Sequence, residues 1–204
     1  MQTLSLTLAL KEWAIAVDAL AAGEMWLLLR KGGLRDRVLT LDWPIGQSFL
    51  LYPTYEHQRG ELLRSPYDQA VSVVASGWHP TTVSLGAIAQ ITDVLPLHDP
   101  AQVDALWPHH IWNQKFVADR WQWQPQRPFS VLCLRVWRAA TPQLVVHQSH
   151  YNGCRSWLDL DQAVTLTALS PAIADAAYHA QVAELRGCLG MDAAPRPDGT
   201  SIDH

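Results

Sequence analysis

Four polar side chains in a row follow an apolar segment and form the first group that could do chemistry. They are Tyr55, Glu56, His57 and Gln58. The pattern predicts a buried strand over Ser48–Tyr52 and a helix from Thr54 to about Arg64. Backbone N–H groups at a helix start attract anions, and His57, oriented by Glu61 one turn later, could be a general base. The structural alternative is that Glu56 and Gln58 cap the helix.

A basic turn containing two glycines is the second group. It comprises Arg30, Lys31, Gly32 and Gly33 and continues to Arg35 and Arg37, with Asp36 as its acidic residue. Glycine lets a ligand approach the backbone closely, and cations beside it suit a phosphate or a nucleic-acid backbone. A solvated hairpin turn with cations on its rim would give the same pattern.

Aromatic rings and cations alternate between residues 109 and 138. This segment holds Trp112, Trp121, Trp123 and Trp137 beside Lys115, Arg120, Arg127, Arg135 and Arg138, against Asp119 alone. This combination suits a single-stranded nucleic acid, because its bases stack on aromatic rings and its phosphates pair with cations. Arg135 interrupts an apolar strand face, so it must be paired with a carboxylate or line a polar pocket. The alternative is a structural ion pair with the tryptophans in the core.

The segment Tyr151–Trp157 holds the last candidates. Cys154 beside Arg155 could be an activated thiol, because a neighbouring cation favours the thiolate. His147, His150 and Cys154 also have a spacing that zinc could accept, although we predict no metal site and no cofactor. A small buried cysteine in a glycine-containing loop is the simpler alternative.

Composition indicates a folded protein. The chain has 204 residues, of which 49% are hydrophobic and 17% charged, as is typical of a well-packed globular domain. Three cysteines without a paired motif, and the absence of an apolar leader or an apolar run of membrane-spanning length, predict a cytoplasmic protein that does not bind a membrane. The net charge of −4 argues against indiscriminate nucleic-acid binding.

The elements that must position these residues are strands and helices in irregular order. The predicted strands are Met25–Leu29, Arg37–Leu41, Ser48–Tyr52, Val83–Val94, Phe129–Trp137 and, as a hairpin partner, Gln143–His147. The predicted helices are Leu10–Ala21, Thr54–Arg64, Asp99–Trp107, Trp112–Trp123 and a C-terminal one at about 171–189. This order predicts a single α+β domain over residues 1–190, with a mixed, largely antiparallel sheet or partly closed barrel and flanking helices. Residues 191–204 are predicted to be a disordered tail.

Several segments of the chain are distinctive when they are taken together. They are Leu10–Ala14, Leu28–Gly33, Pro53–Gln58, His110–Trp112 with Arg120, Val131–Val136 and Tyr151–Trp157. In this order they resemble a bacterial family, domain of unknown function 1802, found in cyanobacteria and bacilli. The resemblance covers about residues 10–160. It identifies related proteins, but the family name implies no activity. The loop from Asp42 to Gly46, His147 and His150 do not follow the family pattern.

Three functions from different classes fit the sequence. The first is a module that binds a nucleotide or nucleic acid; a small partly closed barrel is similar in architecture to the PUA and ASCH groups of nucleic-acid modules. The second is a phosphodiesterase-like or other hydrolase that uses Glu56 and His57. The third is a regulatory scaffold that binds a protein partner through exposed tryptophans. The first requires Arg30, His57, Arg135 and Tyr151 to meet at one cavity.

Overall fold

The computed structural model describes residues 2–31, 45–123, 125–126, 129–153 and 155–191. Gly32, Gly33, the predicted strand Arg37–Leu41, Cys154 and the predicted tail from residue 192 onward lie outside the described residues.

Six strands form one sheet within the described residues. They are β1 (Gln2–Trp13), β2 (Leu27–Lys31), β3 (Ser48–Thr54), β4 (Thr82–Leu97), β5 (Phe129–Val146) and β6 (Trp157–Pro171). Their order is β2-β5-β4-β3-β1-β6, and β5 also pairs with β6. That extra pairing closes a ring of five strands and leaves β2 outside it on β5. Only β1 and β3 pair in parallel. The predicted α+β class, with a largely antiparallel and partly closed sheet, is confirmed.

The first strand occupies residues that the sequence pattern assigned in part to a helix. We predicted a helix from Leu10, whereas β1 continues to Trp13 and the helix α1 covers Ala14–Ala22. The spacing of Leu10 and Trp13 imitates one helical turn, but Leu10 pairs with Leu51 and Trp157 on the two neighbouring strands. Tertiary pairing therefore outweighs the local pattern.

The predicted helix over Thr54–Arg64 is wrong. The parallel pairing of β1 and β3 extends to Thr54, whose hydroxyl donates to the Glu12 carbonyl oxygen over 2.9 Å. The chain then turns at His57 with φ of 66° and forms only a short 3₁₀ turn at Gly60–Leu62. His57 and Glu61 are consequently not neighbours on a helix.

The two halves of β5 form a single long strand. We predicted Gln143–His147 as a hairpin partner of Phe129–Trp137, and this is wrong because both segments pair with β4. The register between β4 and β5 shifts between Leu85 and Ala87, so the bulge predicted at Gly86 is confirmed. The strand β6 was not predicted, although Leu158, Leu160, Val164 and Leu166 are buried along it.

Helical segments cover one side of the sheet. Asp99 caps a 3₁₀ helix at Pro100–His109, and Asn113 caps α2 (Gln114–Gln122), while α3 spans Asp175–Cys188. A large apolar core lies between these segments and the sheet, and a second, smaller core lies among β1, β3, β4 and β6. No helix in the described part of the chain is long and apolar enough to cross a membrane.

Candidate functional site

A cleft of about 500 Å³ opens where β1, β3 and the end of β5 meet. Lys11, Tyr52 and Thr54 contribute to its floor from the strands, and the two loops 76–80 and 151–153 form its sides. Its further lining residues are Pro53, Tyr55, Glu56, His57, Val83 and His147. The parallel pair β1–β3 positions the site, because the chain leaves β3 directly into Tyr55–His57.

A chain of hydrogen bonds crosses the cleft floor from β3 to the loop after β5. The Tyr52 hydroxyl lies 2.8 Å from His147 Nδ1, and His147 Nε2 lies 2.9 Å from Asn152 Oδ1. Because the Asn152 oxygen only accepts, Nε2 of the ring must donate, so Nδ1 of a neutral His147 accepts from Tyr52. Burial is the main cause that raises the pKa of Tyr52 and lowers the pKa of His147. Both groups are therefore held neutral near pH 7.

Aromatic rings line the cleft on two sides. The His79 ring stacks on His147 with centroids 3.8 Å apart and an interplanar angle of 27°. Trp78 meets Tyr55 edge to face at 5.8 Å between centroids. Trp78 is 45% exposed, which leaves much of its indole in contact with solvent. The cleft is thus lined by aromatic rings, and among them the Trp78 indole has a large exposed part.

The charged groups of the cleft hold its loops in place. The Lys11 ammonium group donates to the carbonyl oxygens of Tyr151 and Gly153 over 2.8 and 2.7 Å. Glu56 accepts from the Gly77 N–H over 2.7 Å, and this bond is the main cause that lowers the pKa of the carboxyl group. His57 lies at the surface, with its Nε2 3.4 Å from the Glu56 carboxylate.

The structure brings together only some of the predicted site residues. Tyr55, Glu56, His57 and Tyr151 line the cleft. Gln58 is buried beneath it and accepts from the Ile15 N–H over 3.0 Å, so it connects the segment after β3 to α1. Of Arg30, His57, Arg135 and Tyr151, which we expected at one cavity, only His57 and Tyr151 share this one.

Arg135 lies away from the cleft, where it fixes α3 to the sheet. Its side chain is 5% exposed and forms an ion pair with Asp175 and a hydrogen bond to the Ile173 carbonyl oxygen. Its guanidinium group also lies over the rings of Trp137 and Tyr178, 5.3 and 5.2 Å from their centroids. The expectation that Arg135 is paired is confirmed, and its partner is the first residue of α3.

A second group of predicted cations lies where the end of β2 meets α2. Arg30 forms an ion pair with Glu12 at 2.6 Å. Lys31 donates to the Trp121 carbonyl oxygen over 2.9 Å and lies over that ring. Arg120 packs on the Phe116 ring, 5.1 Å from its centroid.

The histidines considered for zinc have other partners. His147 bonds through both ring nitrogens, and His150 Nε2 lies 3.0 Å from the Asp161 carboxylate. Within the residues that the structure describes, no three His, Cys, Asp or Glu side chains are grouped as a metal ion would need.

The sequence missed much of the cleft. Tyr52, Trp78, His79 and Asn152 were not candidates. Tyr52 was placed in a predicted strand, but alternation along a strand cannot show which of its side chains reaches a cleft. The other three lie on loops, where periodicity carries no signal.

The fold and the site define a small α+β protein with a five-stranded ring and an aromatic cleft at one end of it. The chain belongs to the family described as domain of unknown function (DUF1802), whose model matches residues 9–184. The match extends beyond the expected 10–160 and reaches into α3.

Three solved structures of an ASCH protein from Zymomonas mobilis are similar to the chain. The unsubstituted protein is 10% identical, with 87% of this chain and 94% of that chain covered and a TM-score of 0.42. One point mutant is 12% identical, covers 75% and 88% of the two chains, and has a TM-score of 0.43. Among curated proteins, no match to the chain is found.

Proposed function

We propose that the cleft binds a nucleobase, and that the protein is a binding module for a nucleotide or a single-stranded nucleic acid. The observation that carries this proposal is the set of aromatic rings, Tyr55, Trp78 and His79, that line a cleft of about 500 Å³. A cavity of that size accommodates a small organic ligand. A base stacks on aromatic rings with about 1–3 kcal/mol per base.

The polar groups of the cleft support the same proposal. The Asn152 amide is oriented by its hydrogen bond to His147, so its NH₂ group has a fixed direction and can donate to a ligand. Tyr151 is held from both sides, because its hydroxyl accepts from the Asp161 N–H and its carbonyl oxygen accepts from Lys11. Pre-organised polar groups beside apolar rings are typical of small-molecule sites.

Direct binding measurements test the proposal. Adenosine is a suitable first probe, because it has a base and no charge, and a labelled single-stranded oligonucleotide is the second. We expect Trp78→Ala to weaken adenosine binding by about tenfold or more through loss of one stacking face. Trp123→Ala is the matched control, because Trp123 is 48% exposed and does not line the cleft. Equal affinities of the wild type and Trp78→Ala would exclude the cleft as the base site.

Hydrolysis with Glu56 and His57 is the second candidate function. The pair stands at the cleft rim with 3.4 Å between Nε2 and the carboxylate. Glu56 is a weak base there, because the Gly77 N–H stabilises its charged form. Cleavage of a model phosphodiester by the wild type, and its loss in His57→Ala, would establish this function instead of simple binding.

A further inference from the structure

The wall of the five-stranded ring opens between β5 and β6. These strands pair with each other only where Trp137 lies opposite Pro171 and Arg138 lies opposite Ser170. Beyond these two pairs, β5 continues along β4 and β6 continues along β1. A cavity of about 600 Å³ lies between the two strands, and we call this cavity the strand gap.

A strand edge borders the strand gap on each side. Residues 143–146 of β5 line one side, and residues 160–165 of β6 line the other. Successive side chains on a strand point to opposite faces, so a cavity lined by every residue of both runs lies at the edges of the strands. Gln148 and Tyr151 complete the lining, and Tyr151 also lines the aromatic cleft.

The backbone of β5 directs hydrogen-bonding groups into the strand gap. The His147 N–H donates to the Thr81 carbonyl oxygen over 2.9 Å, and the register between residues 82–85 and 143–146 continues without a shift. Bonded and non-bonded pairs alternate along an antiparallel ladder, so residues 143, 145 and 147 bond to β4. The N–H and C=O groups of Leu144 and Val146 therefore point away from β4, where no described strand pairs with them.

The side chains of this edge do not protect it from pairing. Exposed strand edges in native proteins usually carry charges or proline, which prevent pairing with another chain. Residues 143–146 carry neither, and Leu144 and Val146 are 73% and 56% exposed. On the opposite side, Leu160 and Val164 line the cavity and belong to the smaller core. An occupant of the strand gap therefore removes apolar surface from water while it bonds to the backbone.

We propose that the strand gap binds an extended peptide segment of a partner protein, which adds a strand to the free edge of β5. The backbone groups of Leu144 and Val146 hold the peptide by main-chain hydrogen bonds, and alternate apolar side chains of the peptide contact Leu160 and Val164. Four strand residues span about 13 Å, so the segment needs at least that length.

The charge of the strand gap favours a peptide that carries a cation. Among the described residues that line it, Asp161 is the one charged side chain. Its carboxylate is 54% exposed and lies 3.0 Å from His150 Nε2. No lysine or arginine belongs to this described lining, which disfavours a nucleic-acid backbone. The chain has a net charge of −4, so a second copy would bring like charges together.

Fluorescence anisotropy with a synthetic peptide and the full chain tests the proposal. The probe is a short labelled peptide in which valine and threonine alternate between two terminal lysines. Leu144→Pro removes the N–H group that faces the strand gap and keeps the bonds of residues 143 and 145 to β4. We expect this variant to bind the probe about tenfold more weakly than the wild type. No binding by the wild type, or equal affinities of the two proteins, would overturn the proposal.

The matched control is Leu144→Thr, which removes the apolar side chain and keeps the N–H group. Threonine suits a strand, so this variant should lose much less affinity than Leu144→Pro. Equal losses in the two variants would assign the effect to the side chain and contradict the addition of a strand.

Modified probes keep the proposal testable if Leu144→Pro does not fold. Two probes carry N-methyl groups on alternate residues, one in each of the two possible patterns, and their side chains are unchanged. Because each methyl group removes a backbone donor, at least one of these probes should lose binding to the wild-type protein. Binding of both probes with the affinity of the parent peptide would contradict the proposal.

Asp161→Asn tests the charge preference. It should weaken binding of the lysine-containing probe several-fold, since it removes the carboxylate that attracts the cation. Asp119→Asn is the matched control, because Asp119 is similarly exposed at 52% but pairs with Lys115 on α2. An equal effect of the two substitutions would exclude a specific role of Asp161.

Light scattering of the full chain distinguishes a second copy from a partner peptide. A monomer that binds the probe supports the proposal. A dimer that Leu144→Pro converts to a monomer would assign the edge to a second copy and overturn it. None of these measurements depends on adenosine binding, because Leu144 and Asp161 do not line the aromatic cleft.

Discussion

His147 Nδ1 accepts a hydrogen bond from the Tyr52 hydroxyl across 2.8 Å, and this bond joins the loop after β5 to the middle of β3. The strand β4 lies between β3 and β5 in the sheet. The side-chain bond therefore connects β3 with the end of β5 at the cleft, although the backbones of these two strands do not pair. It also selects the tautomer of His147, because the other ring nitrogen donates to Asn152.

Replacement of Tyr52 by phenylalanine should weaken this end of the ring and change the titration of His147. Loss of the hydrogen bond is expected to cost about 1 kcal/mol of the free energy of unfolding. The hydroxyl favours the neutral ring by donating to Nδ1, so its removal should raise the pKa of His147 toward the ordinary value. Urea denaturation and NMR titration of the histidine measure the two effects.

The control for this substitution is Tyr67→Phe. The Tyr67 hydroxyl donates to Glu24 at the surface, far along the chain from His147. The control should leave the His147 titration unchanged. An unchanged His147 titration in Tyr52→Phe as well would contradict the assigned tautomer.

The free energy of unfolding should decrease as the pH is lowered below about 6.5, because His110 is buried in its neutral form. Burial lowers the pKa of this fully buried histidine to about 3, and Arg64 contributes to the shift. A pKa below the unfolded value of 6.5 means that the unfolded chain binds the proton first. The contribution of neutral His110 to the free energy of unfolding is therefore complete above pH 6.5 and is lost progressively as the pH falls toward 3. One such group changes the free energy of unfolding by up to about 1.4 kcal/mol per pH unit.

The substitution His110→Asn tests the origin of this pH dependence. The asparagine oxygen can replace Nδ1, which accepts from the Trp112 N–H over 3.2 Å, and asparagine does not titrate. The variant should unfold more easily at pH 7 but lose stability less steeply between pH 6 and pH 4. His57→Asn, at an exposed position, should keep the wild-type slope. A slope in His110→Asn as steep as in the wild type would assign the effect to other groups.

The sequence allowed prediction of the fold class but only part of the topology. The strand β4 and the first half of β5 were predictable because β-branched and apolar residues run between clear turn signals. In β1, threonine and serine alternate with leucine from Thr3 to Leu8, a period of two that identifies a half-buried strand. The helix-like spacing from Leu10 onward concealed that strand, because both patterns place leucine at residue 10.

Only those cleft residues that are adjacent in the sequence could be predicted to lie together. Tyr55, Glu56 and His57 follow one strand directly, so their proximity to a strand end could be inferred. Contacts such as Tyr52 with His147 depend on the register of β3, β4 and β5, and a register is set by long-range pairing that a single sequence does not reveal.

Arg135→Ala should destabilise the protein strongly and leave base binding intact. The variant removes the packing of the guanidinium group between Trp137 and Tyr178 and its hydrogen bond to the Ile173 carbonyl oxygen. It also removes the ion pair with Asp175, but that carboxylate is 77% exposed and is solvated once its partner is lost. We therefore expect a loss of about 2–3 kcal/mol in the free energy of unfolding, mainly from the lost packing and the unpaired carbonyl group. Arg135→Met retains the aliphatic stem between the rings and should lose less. Adenosine titration of each folded variant is the second measurement, and a large loss of affinity would show that Arg135 acts on the cleft after all.

A methyl group added at Gly23 should disturb the contact between α1 and the end of β6. Gly23 ends α1 in the left-handed region with φ of +76°, and a Cβ there would lie 2.6 Å from the Ala172 carbonyl oxygen. Gly46 has nearly the same φ, +78°, but no atom of the described residues lies within 4 Å of its Cβ position. Gly46→Ala therefore measures the backbone strain alone, about 1 kcal/mol. Gly23→Ala should cost clearly more in urea denaturation, because the carbonyl oxygen belongs to backbone that bonds to Val136 and cannot move freely. Equal costs at the two glycines would mean that the segment after β6 can shift away from α1 without losing stability.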